Sequence, residues 1–140
     1  MDLTGARLRD ADLTDADLSD ANLCRADMPG VDLAGANLRR ADLHGAKLPG
    51  ANLCGAKLFR MDLHDADLSG ANLAGARLPP GARLRGVKRS GVDLTGTNLR
   101  GANLAGARLR GANVTGANLR GAQLRSMHLR DLTGALVDGP

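Results

Sequence analysis

Tryptophan, tyrosine and glutamate are absent from the 140 residues, and Phe59 is the single aromatic. A core built on large rings is thereby excluded, as is acid–base chemistry that needs paired glutamates. Two cysteines, Cys24 and Cys54, are too few for the disulfide framework of a small secreted domain. No apolar run approaches the ~20 residues of a membrane-spanning helix. The repeats described below begin at Met1, where a secretory leader would stand, so the expected location is cytoplasmic, without a membrane. None of His44, His64 and His128 has a nucleophile beside it in the sequence, and nothing suggests an enzyme or a cofactor.

What the chain does contain is a period of five. In Ala11 to Leu23, ADLTDADLSDANL, a Leu returns every fifth residue, with Ala two before it and Asp or Asn between them. The series runs from Leu3 through Leu8, Leu13, Leu18, Leu23, Met28 and Leu33 to Leu78, then resumes at Leu84 and continues to Leu129. On an α-helix, five steps of about 100° would carry successive leucines right round the axis. On a flat strand they would alternate between faces. The pattern becomes consistent if each unit is a three-residue strand, with Ala and Leu inward, followed by a corner. Repeated turning in one sense then winds a coil that stacks through parallel hydrogen bonds, which is a β-solenoid.

The A(D/N)LXX unit resembles the pentapeptide-repeat family over residues 1–131. That resemblance implies an all-β, right-handed quadrilateral parallel β-helix with four repeats per coil, here about 26 repeats in six to seven coils. It also implies a DNA gyrase or topoisomerase-interacting activity, of the quinolone-tolerance or toxin self-resistance type, in which an acidic rod mimics duplex DNA. This chain departs from that pattern in carrying a formal charge of +4.

The expected organisation is one β-helix over 1–131, an irregular corner at 79–91 and a C-terminal cap or tail at 132–140. Leu78 to Leu84 is one residue too long, through Pro79-Pro80-Gly81, and Arg89 stands where a Leu belongs. The inward column includes Leu13, Leu33, Leu53, Leu73, Leu94 and Leu104, with Val31 and Met61 replacing the smaller inward Ala. Corner positions are mostly Gly, but Arg25, Arg40 and Arg60 occupy them too, from which we expect that a positive φ is not compulsory at every turn. Asp10, Asp15 and Asp20, in corners of the first coil, are expected to guard an open sheet edge. Cys24 and Cys54 fall on opposite sides of the square and are not expected to pair.

Taking every fourth repeat assigns residues to walls. The wall with repeats beginning at 11, 31, 51, 71, 92 and 112 has no Lys or Arg and presents Asp12, Asp32, Asn52, Asn72, Asp93 and Asn113 outward. The next wall carries Arg39, Arg40, Lys57, Arg60, Arg77, Arg100 and Arg120, with Phe59 among them and Asp17 and Asp20 in the first coil. Charge also separates along the chain: residues 1–78 hold nine basic and twelve acidic side chains, and residues 79–140 hold ten and three.

These features point to a non-enzymatic β-helical binding or scaffold module that contacts a protein or polyanionic partner through its outer faces. Arg83, Arg85, Lys88, Arg89, Arg100, Arg108, Arg110, Arg120, Arg125 and Arg130 are the partner-binding candidates, able to meet anionic groups. Aromatics for base stacking are lacking in that half, which argues against sequence-tolerant single-strand binding. Cys24, His44 and His64 form a weak metal-binding candidate, a straight column that does not converge on a tetrahedral centre. Homodimerisation, or head-to-tail association of the acidic first coil with the basic end, is the expected form of any self-assembly.

Overall fold

The computed structural model describes residues 1–63, 65–76, 93–97, 99, 113–122 and 124. Within them the chain advances in coils of twenty residues, each stacked in parallel on the next. Asp2 pairs with Asn22, Asn22 with Asp42 and Asp42 with Asp62; on the following walls Arg7 pairs with Asp27, Asp12 with Asp32 and Asp17 with Asn37. Four such columns of bridges, five residues apart in sequence, give the coil its four walls.

Each wall pairs through one residue rather than three. Asp32 donates its N–H to the Ala11 carbonyl at 2.9 Å and accepts from Leu13 at 2.8 Å, so both its backbone groups lie in the ladder. The flanking residues divide their groups between the ladder and the corner, where Ala16 N–H closes a four-residue turn on the Leu13 carbonyl at 3.0 Å. A five-residue unit has room for a bridge and a turn but not for a longer strand.

The corners correct the expectation drawn from Arg25, Arg40 and Arg60. Their φ values are 56°, 58° and 57°, within the same left-handed range as Gly45 at 65° and Gly50 at 68°. Asp10, Asp15, Asp20 and Asp65 share it as well. A positive φ at the third residue of the turn, with a negative one before it, is the type II pattern. The turn is compulsory because the corner N–H must reach the next coil: Arg25 donates to the His44 carbonyl at 2.9 Å and Arg40 to that of Phe59 at 2.8 Å. Non-glycine residues accept a conformational cost of about 1–2 kcal/mol each to keep that bond.

Inside, Ala and Leu alternate as a sealed column. Leu33 and Leu43 are fully buried, Leu53, Leu73 and Leu94 are 1% exposed, and Ala26, Ala36 and Ala46 lie between them without exposure. Val31 and Met61 are accommodated at the inward Ala positions, both buried. Leu13 departs from its assignment to the core: it is only partly buried, because the first coil has a neighbour on one side only. Leu104 lies outside the described residues. So do the irregular corner at 79–91, with Arg89, and the cap at 132–140.

The register survives the long unit. Asn72 bridges to Asp93 and Asp93 to Asn113, so the extra residue is absorbed between 73 and 92 and the wall assignment is preserved. Thr97 then takes an inward Ala position. It is fully buried, and its hydroxyl donates to the Leu73 carbonyl at 2.8 Å, which satisfies the one polar group that the column admits among the described residues.

Candidate partner-binding walls

With the interior filled by Leu and Ala, the outer walls carry whatever chemistry the rod performs. The repeated Asp or Asn between each Ala and Leu has a local role: its Oδ1 accepts the N–H two residues on. Asp12 receives Thr14 N–H at 3.0 Å, Asp32 receives Ala34 at 3.0 Å and Asn72 receives Ala74 at 2.9 Å. These Asx turns hold the corner from outside while Leu holds it from within. The A(D/N)LXX spacing contains that signal, and a reading confined to which residues point inward passes over it.

On the wall without basic residues the same side chains also bond along the rod. Asn52 Nδ2 donates to Asp32 Oδ1 at 3.0 Å, and Asn72 Nδ2 to Asn52 Oδ1 at 3.4 Å. Thr95 and Thr115 continue this wall beside Asp93 and Asn113, each with its own N–H capped. Much of the polar capacity is therefore met within the protein, and the neighbouring side chains Thr14, Ala34, Cys54 and Ala74 are small. Such a wall can be covered by a partner at low desolvation cost.

The first coil places its aspartates in three arrangements. Asp2, Asp12 and Asp17 have carboxyl pKa values below the ordinary 3.8, first through the hydroxyls of Thr4, Thr14 and Ser19 and next through their N–H groups. Asp20 is lowered chiefly by the Arg40 side chain, whose Nε and Nη2 each lie 2.6 Å from one of its carboxylate oxygens. Asp10 and Asp15 lean over the corner glycines Gly30 and Gly35 of the next coil. Because the four titrating carboxyls are depressed in the folded state, their contribution is complete above the unfolded value and is lost as pH falls through the folded ones. The melting temperature is expected to be level above about pH 5 and to decline below about pH 4. An Asp12→Asn, Asp17→Asn variant measured over the same range should show a shallower decline; an unchanged profile would remove these carboxyls from the account.

On the next wall, the corner of one coil brings Arg39 and Arg40 against Phe59 and Arg60 of the following coil, lining an open depression of about 330 Å³. Phe59 is 41% exposed. Sequence reading places these residues on one wall, but only the packed corners show that they enclose a space.

Of the ten basic candidates, Arg120 is described: it is exposed on this second wall, and its N–H is capped by Asn118 Oδ1 at 3.2 Å. Arg83, Arg85, Lys88, Arg89, Arg100, Arg108, Arg110, Arg125 and Arg130 lie outside the described residues. Cys24 and His44 occupy equivalent corner positions one coil apart, their carbonyls accepting from Gly5 and Arg25, while His64 lies outside the described residues. Among the described residues, no three potential ligands gather as a metal site. Cys54 is exposed on the basic-free wall, Cys24 is half-buried on another, and both are free thiols.

The comparisons with known proteins agree with this architecture. A profile for pentapeptide repeats matches in eight copies, over residues 2–40, 29–60, 36–75, 50–88, 62–101 and 90–125. Among solved structures, the chain is similar to a pentapeptide repeat protein of the Arabidopsis thaliana thylakoid lumen, with 33% identity, 85% of this chain and 72% of that one covered, and a TM-score of 0.50. It is also similar to HetL of the cyanobacterium Nostoc, a pentapeptide repeat protein involved in heterocyst differentiation regulation, at 37% identity over 91% and 68% of the two chains, TM-score 0.32. QnrB1, a plasmid-mediated fluoroquinolone resistance protein, matches at 21% identity over 99% and 80%, TM-score 0.48. No curated protein matches. A five-residue period, twenty-residue coils with a turn at every corner, and a profile match along most of the sequence lead to one assignment: the chain belongs to the pentapeptide-repeat family, whose members form right-handed quadrilateral β-helices.

Proposed function

We propose that the chain is a non-enzymatic β-helical binding module, of about 26 repeats in six to seven coils. It spans residues 1–131, with an irregular corner at 79–91 and a cap at 132–140, and it contacts a protein or polyanionic partner through its outer walls in the cytoplasm. The observation that supports this reading is the sealed interior: the inward side chains from Ala21 to Ala76 form an unbroken buried column. Between these described residues the interior of the rod is filled and leaves no enclosed cleft in which to desolvate a substrate. Its capacity for recognition therefore lies on the walls.

The basic-free wall is the first protein-binding surface in this reading, since it is lined with small side chains and its amide ladder is already bonded. A variant with Asn52→Lys and Asn72→Lys adds two long cations to that wall without touching the column. It should lose the partners that the unaltered protein retains in a pull-down from bacterial lysate. If it recovers the same partners, this wall is not the contact surface. The gyrase-directed reading that the family resemblance implies would need an acidic exterior over most of the rod, because the mimicked duplex is uniformly negative. Arg39, Arg40, Lys57 and Arg60 break that exterior on one wall, and a supercoiling assay with and without the protein separates the two readings.

A further inference from the structure

The depression on the second wall has a chemistry that suggests its occupant. Along this corner, residues twenty apart are stacked: Asp20, Arg40 and Arg60. Arg40 reaches back one coil and forks onto Asp20, with Nε to Oδ1 and Nη2 to Oδ2 both at 2.6 Å. Arg60 stands in the same backbone conformation, φ 57° against 58°, but the residue one coil behind it is Arg40 rather than an acid. Among the described residues no carboxylate forms an ion pair with Arg60, and Arg39 has only the longer-range attraction of Asp20, which Arg40 already holds. Arg60 thus repeats the backbone setting from which Arg40 binds a carboxylate, without a carboxylate one coil behind it.

Two further observations bear on the same place. Arg60 holds a left-handed corner that Gly fills without steric cost in Gly30, Gly35 and Gly50, and unlike Arg40 it has no ion pair among the described residues to set against that cost. Phe59, the single aromatic of the chain, is exposed on the outer wall rather than in the column, and it lines the depression together with Arg39, Arg40 and Arg60.

We infer that Arg39, Arg60 and Phe59, with Lys57 beside them, form a binding site for an acidic peptide segment. Its carboxylates take at Arg60 and Arg39 the place that Asp20 takes at Arg40, and an apolar side chain covers Phe59. The inference rests on the reading of the rod as a binding module, but it concerns a different wall. Peptide chemistry fits better than nucleic acid. Within the depression the cations lie on two adjacent coils, about 10 Å, which is enough for only a few phosphates, and Asp17 and Asp20 in the first coil would repel a phosphate backbone continuing in that direction. One aromatic also makes a poor stacking track.

The test is fluorescence anisotropy with a fluorescein-labelled peptide of alternating Glu and Phe, its Gln-for-Glu counterpart and an oligothymidine of matched charge. The Glu peptide should bind, and the Gln peptide should bind about tenfold more weakly or not at all. Arg60→Gly removes the fork while giving the corner its preferred residue. It should weaken peptide binding about tenfold while the melting temperature holds or rises. Phe59→Ala should weaken binding by about threefold to tenfold. The Asn52→Lys, Asn72→Lys variant should bind the peptide as the unaltered protein does, which separates failure of this site from failure of the other wall. Absent binding of the Glu peptide, full binding by the Arg60→Gly variant, equal binding of the Gln peptide, or preference for oligothymidine would each overturn the inference.

Discussion

Replacing Leu53 by Ala is expected to lower the unfolding free energy by about 2–5 kcal/mol. Leu53 is 1% exposed and stands in one inward column with Leu33, Leu73 and Leu94. Its backbone is tied on both sides, accepting nothing from relaxation: Leu53 N–H bonds to the Asn72 carbonyl at 2.7 Å, and its carbonyl takes Ala56 N–H at 3.1 Å. Coils held at a fixed ladder spacing of about 4.8 Å cannot collapse onto a vacated side-chain position, so most of the cavity should persist. The same substitution at Leu13 removes a side chain that is only partly buried, and should cost about 1–2 kcal/mol. Chemical denaturation of the two variants in parallel measures the contrast. Equal losses would mean that stability is not graded by position along the column, contrary to nearest-neighbour stacking in a solenoid.

Gly35→Val is the second large effect, expected at about 2–5 kcal/mol from two separable causes. Gly35 has φ 67°, which a β-branched residue adopts only under strain. A Cβ there would also overlap Asp15 Oδ1 and come within 3.2 Å of its Cγ. Gly55, at the equivalent corner one coil on, has the same φ of 67° but nothing within 4 Å of the added atom. Gly55→Val should therefore lose only the backbone part, about 1–2 kcal/mol. Combining Gly35→Val with Asp15→Gly should bring the loss at Gly35 down to that level. If the Gly35 and Gly55 variants melt alike, the packing of Asp15 over the next corner has no energetic weight.

These contrasts show which features were legible before any coordinates. The inward Leu and Ala follow from spacing, because an apolar residue at every fifth place fits neither a helix nor a flat strand, whereas the twenty-residue coil came with the family resemblance. The wall assignment followed with them, as Asn72 and Asp93 confirm by pairing. Arg25, Arg40 and Arg60 misled because residue preference was taken as a guide to conformation. Glycine at most corners suggested that other residues marked a different turn, whereas the hydrogen bond to the next coil imposes one φ on all of them.

By itself, the five-residue period determined a solenoid with Ala and Leu turned inward, since neither a helix nor a flat strand gathers a leucine at every fifth place onto one face. The four walls came with the family resemblance, and the four columns of bridges show them. The tertiary structure alone decided how side chains twenty residues apart engage across neighbouring coils. Asp20 forks onto Arg40, Asp15 crowds Gly35, and Phe59 and Arg60 close a depression with Arg39. Such contacts depend on ångström-scale reach between stacked corners, a property of packed coils that periodicity along one chain does not encode.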